Sequence, residues 1–379
     1  MGKRYNVVLN YQYDENWIGG TYYIQNLIHA LQTLKDEDKP FLHIKSTPHA
    51  VENLQELTSY PYLKAFNPYS NIGKIKRAIN IISKKIAKKN IYSLYKNFDA
   101  VFPAGFSESN NIKSKIFWIP DFQEKYLPHF FSEEEIKNRE NACQLIRQTD
   151  EYLIFSSEDA KKDFNTFYPQ GKPEQFVLNF ATYHRNVNLP SKEFVLEKFD
   201  ITTEYFLCSN QFWVHKNHLI ILKAIALLKN EGLNINVIFT GKENDYRNPD
   251  YFSDLKRQIS TLEIEENVKF LGFIDRDEQI VLLKNCKAII QPSLFEGWST
   301  VNEDAKAENV FILASSLNVN IEQTKNYPNY RIFDPYDENS LANEIKKDNF
   351  VNVNIDYTKD ITKFGEKFIE ILKTVISKK

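Results

Sequence analysis

Residues 292–307, PSLFEGWSTVNEDAKA, follow directly on the apolar run Ala288-Ile289-Ile290 and decide how the rest of the chain is read. A short buried strand gives way to an exposed carboxylate, Glu296, then to Gly297, Trp298 and the pair Ser299-Thr300, and finally to a new helix. A strand that ends in Gly, Ser and Thr before a helix leaves backbone N–H groups and the positive end of a helix dipole at the carboxyl edge of a sheet. Such a place suits a phosphate. Glu296 beside it can accept hydrogen bonds from hydroxyls. The same residues also make a plain strand-to-helix turn in which Ser299 and Thr300 only cap.

Working upstream, residues 205–223, YFLCSNQFWVHKNHLIILK, repeat the layout. An apolar strand over 205–208 passes through a polar turn to a helix with Leu219, Ile220, Leu222 and Ala224 at helical spacing, and Lys216 stands at the junction. His215 and His218 find no third metal ligand at suitable spacing. Between the two segments the chain alternates. Strands are expected at 235–240, 268–271 and 288–291, helices at 251–262 and 277–284. Alternation of this kind implies α/β architecture, a parallel sheet with helices on both faces.

These segments resemble retaining glycosyltransferases of the GT-B fold, in particular glycosyltransferase family four. That pattern has Pro-Ser, Glu-Gly, a second acid after seven intervening residues, then Ala-x-Ala; Glu296, Gly297, Asp304, Ala305 and Ala307 answer it, with Asp304 where Glu is usual. The neighbouring Glu303 is one position early and would point elsewhere. Lys216 matches the family's diphosphate-holding lysine, whereas the Arg usual five residues earlier is Gln211, which can donate but carries no charge. A subset of the family resembles residues 210–218, Asn-Gln-Phe-Trp followed by His-Lys-Asn-His. The segment 268–274 resembles the place where the family's backbone lies near the nucleobase, and puts Phe273 in the donor set.

The resemblance implies two Rossmann-like domains whose parallel sheets face a cleft, over residues 1–182 and 190–355, with the terminal helix 358–379 returning to the first. It further implies a nucleotide-sugar donor, UDP- or GDP-linked, held by Lys216, Gln211, Gly297, Trp298, Ser299, Thr300, Asp304 and Phe273, with Glu296 on the donor sugar. Glu296 and Lys216 are the expected catalytic pair. Retention of the α configuration is expected through front-face displacement, since no residue stands out as a covalent nucleophile. The acceptor is expected to be a glycan or lipid-linked glycan of a surface polysaccharide.

The first half is the weaker match. An opening strand over 5–11 leads to Gly19-Gly20 and a helix over 22–34; paired glycines there let a phosphate approach the backbone, and equally make a plain turn. The family faces its donor with a Gly-Gly at this place. Residues 117–123, FWIPDFQ, resemble its acceptor side, where Asp121 orients a hydroxyl or caps the next segment. Asp275-Arg276-Asp277 has the Asp-x-Asp form of a metal chelator but sits between strand and helix, so capping is expected, with no metal and no cofactor required.

Composition bounds the rest. The chain has 379 residues, enough for two domains, and a net charge of −2, which points to no nucleic acid. Within that balance, residues 57–98 contain no Asp or Glu, and isoleucines recur every three or four positions among lysines. A basic amphipathic helix is expected over 74–96, able to pack on its own domain, to meet an anionic membrane, or both. Cys143, Cys208 and Cys286 are scattered and odd in number, which favours a reducing compartment. No apolar run has the length of a membrane span and no signal peptide is read, so the expected place is the cytoplasm, at the inner membrane face if the basic helix binds there. Gln211 and Asp304 keep a second class open, a non-catalytic donor-binding subunit, and a nucleotide-sugar epimerase is a third.

Overall fold

The computed structural model describes residues 4–12, 18–67, 97–106, 112–184 and 189–378, with positions 75, 78, 79, 83 and 95. The basic helix expected over 74–96 therefore falls, apart from scattered positions, outside the described residues. The chain separates into two compact units, one of residues 1–121, 137–183 and 358–379, the other of residues 122–136 and 184–357.

In the first unit the described strands are β1 (Asn6–Asn10), β2 (Phe41–Lys45), β3 (Leu63–Ala65), β4 (Ala100–Phe102), β5 (Ser114–Ile119), β6 (Tyr152–Phe155) and β7 (Glu174–Val177). They lie in the order β3-β2-β1-β4-β5-β6-β7, every neighbouring pair parallel. Parallel strands are covered on both faces, so the centre of β1, Val7 to Leu9, and all of β4 are continuously apolar rather than alternating. Helix Ile18–Gln32 covers one face together with helix Thr358–Ser377. Tyr23 stacks on Trp118 with ring centroids 4.3 Å apart, and its hydroxyl donates to Leu178 O at 3.2 Å. The two helices meet closely at Gly365, where an added Cβ would lie 2.7 Å from Ala30 O. Only glycine allows that approach.

The second unit holds β8 (Phe206–Ser209), β9 (Val237–Thr240), β10 (Val268–Phe270), β11 (Ile289–Gln291), β12 (Ile312–Ser315) and β13 (Tyr330–Phe333), in the order β10-β9-β8-β11-β12-β13, again parallel throughout. Successive side chains serve opposite faces, as the pleat requires. Phe206, Cys208, Val237, Phe239, Ile290 and Leu313 pack with helices His218–Asn230, Tyr251–Thr261 and Glu338–Lys346. Leu207, Ile238, Ile289, Ile312 and Ala314 pack with helices Lys192–Lys198, Arg276–Asn285 and Thr300–Ala307. Residues 122–136, assigned by the sequence division to the first domain, cluster with this unit instead. The Tyr126 ring lies 5.6 Å from that of Phe295, and Tyr246 Oη donates to Glu135 Oε1 at 3.2 Å.

The three cysteines are buried and free. Among the described residues no helix is long and apolar enough to cross a membrane.

Candidate active site

The order of the second sheet turns back on itself between β8 and β11, the place at whose carboxyl edge an open α/β sheet holds its ligands. Lys216 comes from the loop after β8 and Glu296 from the loop after β11. Lys216 Nζ donates to Glu296 Oε1 at 2.6 Å, with side chains 16% and 9% exposed. This meeting, eighty residues apart in the chain, has an explicit scaffold. A 3₁₀ turn, Val214–Lys216, ends at Asn217, which takes a left-handed conformation (φ 56°, ψ 40°) that Asn tolerates, and helix His218–Asn230 starts there. Asn217 Nδ2 donates to Pro292 O at 3.2 Å and Pro335 O at 2.9 Å, and Leu294 N donates to His215 O at 2.8 Å. These bonds tie the two loops together. Under them, Gly241 at the end of β9 has φ 145°, and a Cβ there would lie 2.0 Å from Asn210 O.

A buried amide chain supports Glu296 from below. Asn210 Nδ2 donates to Gln291 Oε1 at 2.8 Å, and Gln291 Nε2 donates to Glu296 Oε1 at 2.7 Å. Both contacts on the carboxylate, from Lys216 and from Gln291, fall on one oxygen, so Oε1 is fixed and Oε2 has no partner among the described residues. His215 and His218 belong to the packing around this site. Burial, then the Lys216 charge, pushes the His218 imidazole down to about 3, and its ring stacks on Phe212 at 4.5 Å. Burial, with Lys216 and Arg247 nearby, holds His215 well below the usual range as well. Both are neutral near pH 7.

The remaining residues of the expected donor set are distributed around this pair. Ser299 caps helix Thr300–Ala307 by accepting from Asn302 N at 3.3 Å. Its own amide, read from sequence as open to a phosphate, donates to Gln323 Oε1 at 3.2 Å. Thr300 opens the helix, and the half-buried Gly297 precedes Trp298, whose Nε1 donates to Glu303 Oε1 at 3.1 Å. Glu303 is fully buried and also accepts from Lys306, Gln323 and Tyr357; it is a structural knot that fixes the helix. Gln211 is half-buried and its carbonyl accepts from Trp213 N at 2.7 Å. Phe273 is 69% exposed on the loop after β10.

Asp304 is in a different setting from Glu296. Its Oδ1 accepts from Arg276 Nη2 at 2.7 Å and lies 2.9 Å from His184 Nε2, while His184 Nδ1 lies 2.6 Å from Glu308 Oε1. Burial alone would raise the Asp304 carboxyl; the Arg276 charge and the His184 bond outweigh it and hold it below the usual carboxylate range. Burial would likewise lower His184, yet its bonds to Asp304 and Glu308 leave it raised. Asp275 accepts from Asp277 N at 2.8 Å as the cap of helix Arg276–Asn285. In the first unit, Gly19 and Gly20 lie in the first turn of helix Ile18–Gln32, a Cβ at Gly19 would meet nothing within 4 Å, and Asp121 Oδ1 lies 3.9 Å from Arg139 Nη1.

Residues 192–348, which contain the whole second sheet, match the family model described as Glycosyl transferases group 1. Over 142 residues the chain is 28% identical to the O-antigen chain mannosyltransferase RfbU of Salmonella typhimurium, covering 38% of this chain and 37% of that relative's length. The crystal structure of HepE from Anabaena in complex with UDP and glucose superposes with a TM-score of 0.65 at 15% identity, over 98% of this chain and all of that one. A glycosyltransferase structure from Rickettsia africae gives 0.62 at 15% identity, over 100% and 97% of the two chains. The chain has the GT-B fold. Within a GT-B scaffold the pair at the β8/β11 reversal was readable from sequence, but its support was not. Asn210 and Gln291 are polar residues ending apolar runs, a signal of buried hydrogen bonding that was present in the sequence. Arg276 opens helix Arg276–Asn285, and His184 and Arg247 stand outside helices and strands; contacts such as Arg276–Asp304, His184–Asp304 and Arg247–Trp213 join residues distant in sequence, and no spacing marks them.

Proposed function

We propose that the protein is a retaining glycosyltransferase that moves a sugar from a UDP- or GDP-sugar to a saccharide or lipid-linked saccharide in surface-polysaccharide synthesis. The observation that carries this reading is the 2.6 Å contact of Lys216 with Glu296 at the crevice of the second sheet. The mannosyltransferase likeness and the UDP complex of the Anabaena protein support it.

Glu296 is fixed at Oε1 and offers Oε2 to hydroxyls of the donor sugar. Lys216 and the start of helix Thr300–Ala307 meet the negative charge that grows on the leaving diphosphate. The sugar C1–phosphate bond breaks with its electron pair leaving on the phosphate oxygen. The acceptor hydroxyl bonds C1 from the same face, and its proton passes to that oxygen. Asp275 is engaged as a helix cap, which supports a reaction without a bound metal. Residues 74–96 supply the positive charge for an anionic membrane or a pyrophosphate-linked lipid.

A second reading, donor binding without turnover, is favoured by Asp304, whose carboxylate is held by Arg276 and His184. Incubation with a panel of UDP- and GDP-sugars in EDTA separates the readings. Slow nucleotide release, rising with a saccharide acceptor and giving an α-linked product by NMR, is the expected result. Binding without release would establish the second reading, an isomerised donor would establish an epimerase, and loss of turnover in EDTA restored by a divalent cation would refute metal independence.

A further inference from the structure

The loop after β9 carries a cation that none of these roles uses. Arg247 is 10% exposed in its side chain. Its Nε and its backbone N donate to the same oxygen, Asp245 Oδ1, at 3.3 and 3.0 Å, and Asp245 is buried. The guanidinium carbon lies 4.9 Å from the ring centroid of Trp213 and 5.6 Å from those of Phe131 and Tyr246. Glu135 is within its field, but its oxygens are taken up by Ser132 and Tyr246. Trp213 O in turn accepts from Lys216 N at 2.8 Å, so the aromatic cage and the catalytic lysine share one wall.

Sinking a guanidinium this far costs free energy unless its donors are matched. Nε is matched; Nη1 and Nη2 have no hydrogen-bond acceptor among the described residues and are not cut off from water, so they form an open edge. The aromatic rings hold the cation without using its N–H edge. That edge has the spacing of two phosphoryl oxygens. Nearby, Gln211 brings no charge and Lys216 is answered by Glu296, so an incoming phosphate needs a further cation.

We propose that Arg247, held at Nε by Asp245 and caged by Phe131, Trp213 and Tyr246, is a phosphate-binding residue that presents its Nη edge to a phosphoryl group beside Lys216. The group comes either from the donor's diphosphate or from a phosphorylated acceptor. Which molecule carries it rests on the transferase reading; the phosphate chemistry does not.

The test is calorimetric titration of the wild-type chain, Arg247→Met and Arg247→Lys with UDP, GDP and inorganic pyrophosphate, each variant checked for an unchanged melting profile. For Arg247→Met we expect affinity about 10- to 100-fold weaker, with Arg247→Lys, which keeps charge but not the fork, in between. Weakened UDP or GDP binding assigns the phosphate to the donor. Weakened pyrophosphate binding with UDP and GDP unaffected assigns it to the acceptor. Wild-type affinity of Arg247→Met for all three probes overturns the proposal, as does a wild-type chain that binds none of them; if Arg247→Met does not fold, Arg247→Lys is read in the same way. Pyrophosphate binding through Arg247 in a chain that neither binds nucleotides nor consumes sugar nucleotides would sink the transferase reading and leave this one standing.

Discussion

Glu296 is held in place where water barely reaches because Lys216 and Gln291 both donate to one of its oxygens. The two substitutions Glu296→Gln and Glu296→Ala should therefore part company. Glutamine preserves a hydrogen-bonding group but cannot stabilise positive charge growing at the sugar, so turnover at saturating donor should fall by about 10²- to 10³-fold with little change in melting temperature. Both variants remove the counter-charge of Lys216, but alanine additionally leaves Lys216 and Gln291 without an accepting oxygen and should lose up to about 3 kcal/mol, seen as a lower urea midpoint. Wild-type turnover in either variant would remove Glu296 from the mechanism. Lys216 and Glu296 were legible because strand-end chemistry is local: the apolar run, the turn residue and the helix start are contiguous. Arg247 was not, because Phe131 and Trp213 reach it from two separate parts of the chain.

At the scale of elements, the helix Thr300–Ala307 is fastened by an ionic cluster whose members, His184 on one side and Asp304 and Glu308 on the other, behave oppositely with pH. His184 is raised, so the stability it contributes is fully present below its unfolded value and disappears as pH rises through its folded one. Asp304 and Glu308 are lowered, so theirs is present above their unfolded values and disappears as pH falls through the folded ones. The cluster is thus strongest from about pH 5 to about pH 6.5, between the ordinary carboxylate and imidazole values. The stability difference between wild type and His184→Gln should peak in that window and shrink on its alkaline side; a difference that is flat with pH would show His184 to be uncharged. A second element-level prediction concerns Gly241. Its φ of 145° and the 2.0 Å approach of Asn210 O leave no room for a methyl group, so Gly241→Ala should cost at least about 1–3 kcal/mol and shift the denaturant midpoint accordingly. The short strands β8 to β11 could be read as apolar runs and the helices between them from their periodicity, and the terminal helix expected over 358–379 spans Thr358–Ser377. Strands β3 and β4 were not read, although β10 and β11, of the same three-residue length, were.

For the molecule as a whole, the two units are built on one strand order but differ in how the chain fills them. The second is almost a single run from residue 184 to 357, joined by the short segment 122–136, whereas the first is assembled from three pieces, the last beginning at residue 358. The division expected from motifs gave segment 122–136 to the first body, whereas its contacts group it with the second, because a side chain such as Tyr126 carries no mark of the partner, Phe295, it will meet. The packing of Gly365 against Ala30 has a consequence for synthesis on the ribosome. The unit that emerges earliest lacks the helix that seals its core until nearly two hundred further residues have been translated, a wait of roughly 10–40 s. Its apolar face must meanwhile be shielded by chaperones or by transient contacts, while the later-made half has every strand it needs and can settle beforehand. Vectorial order and folding order therefore run in opposite directions along this chain.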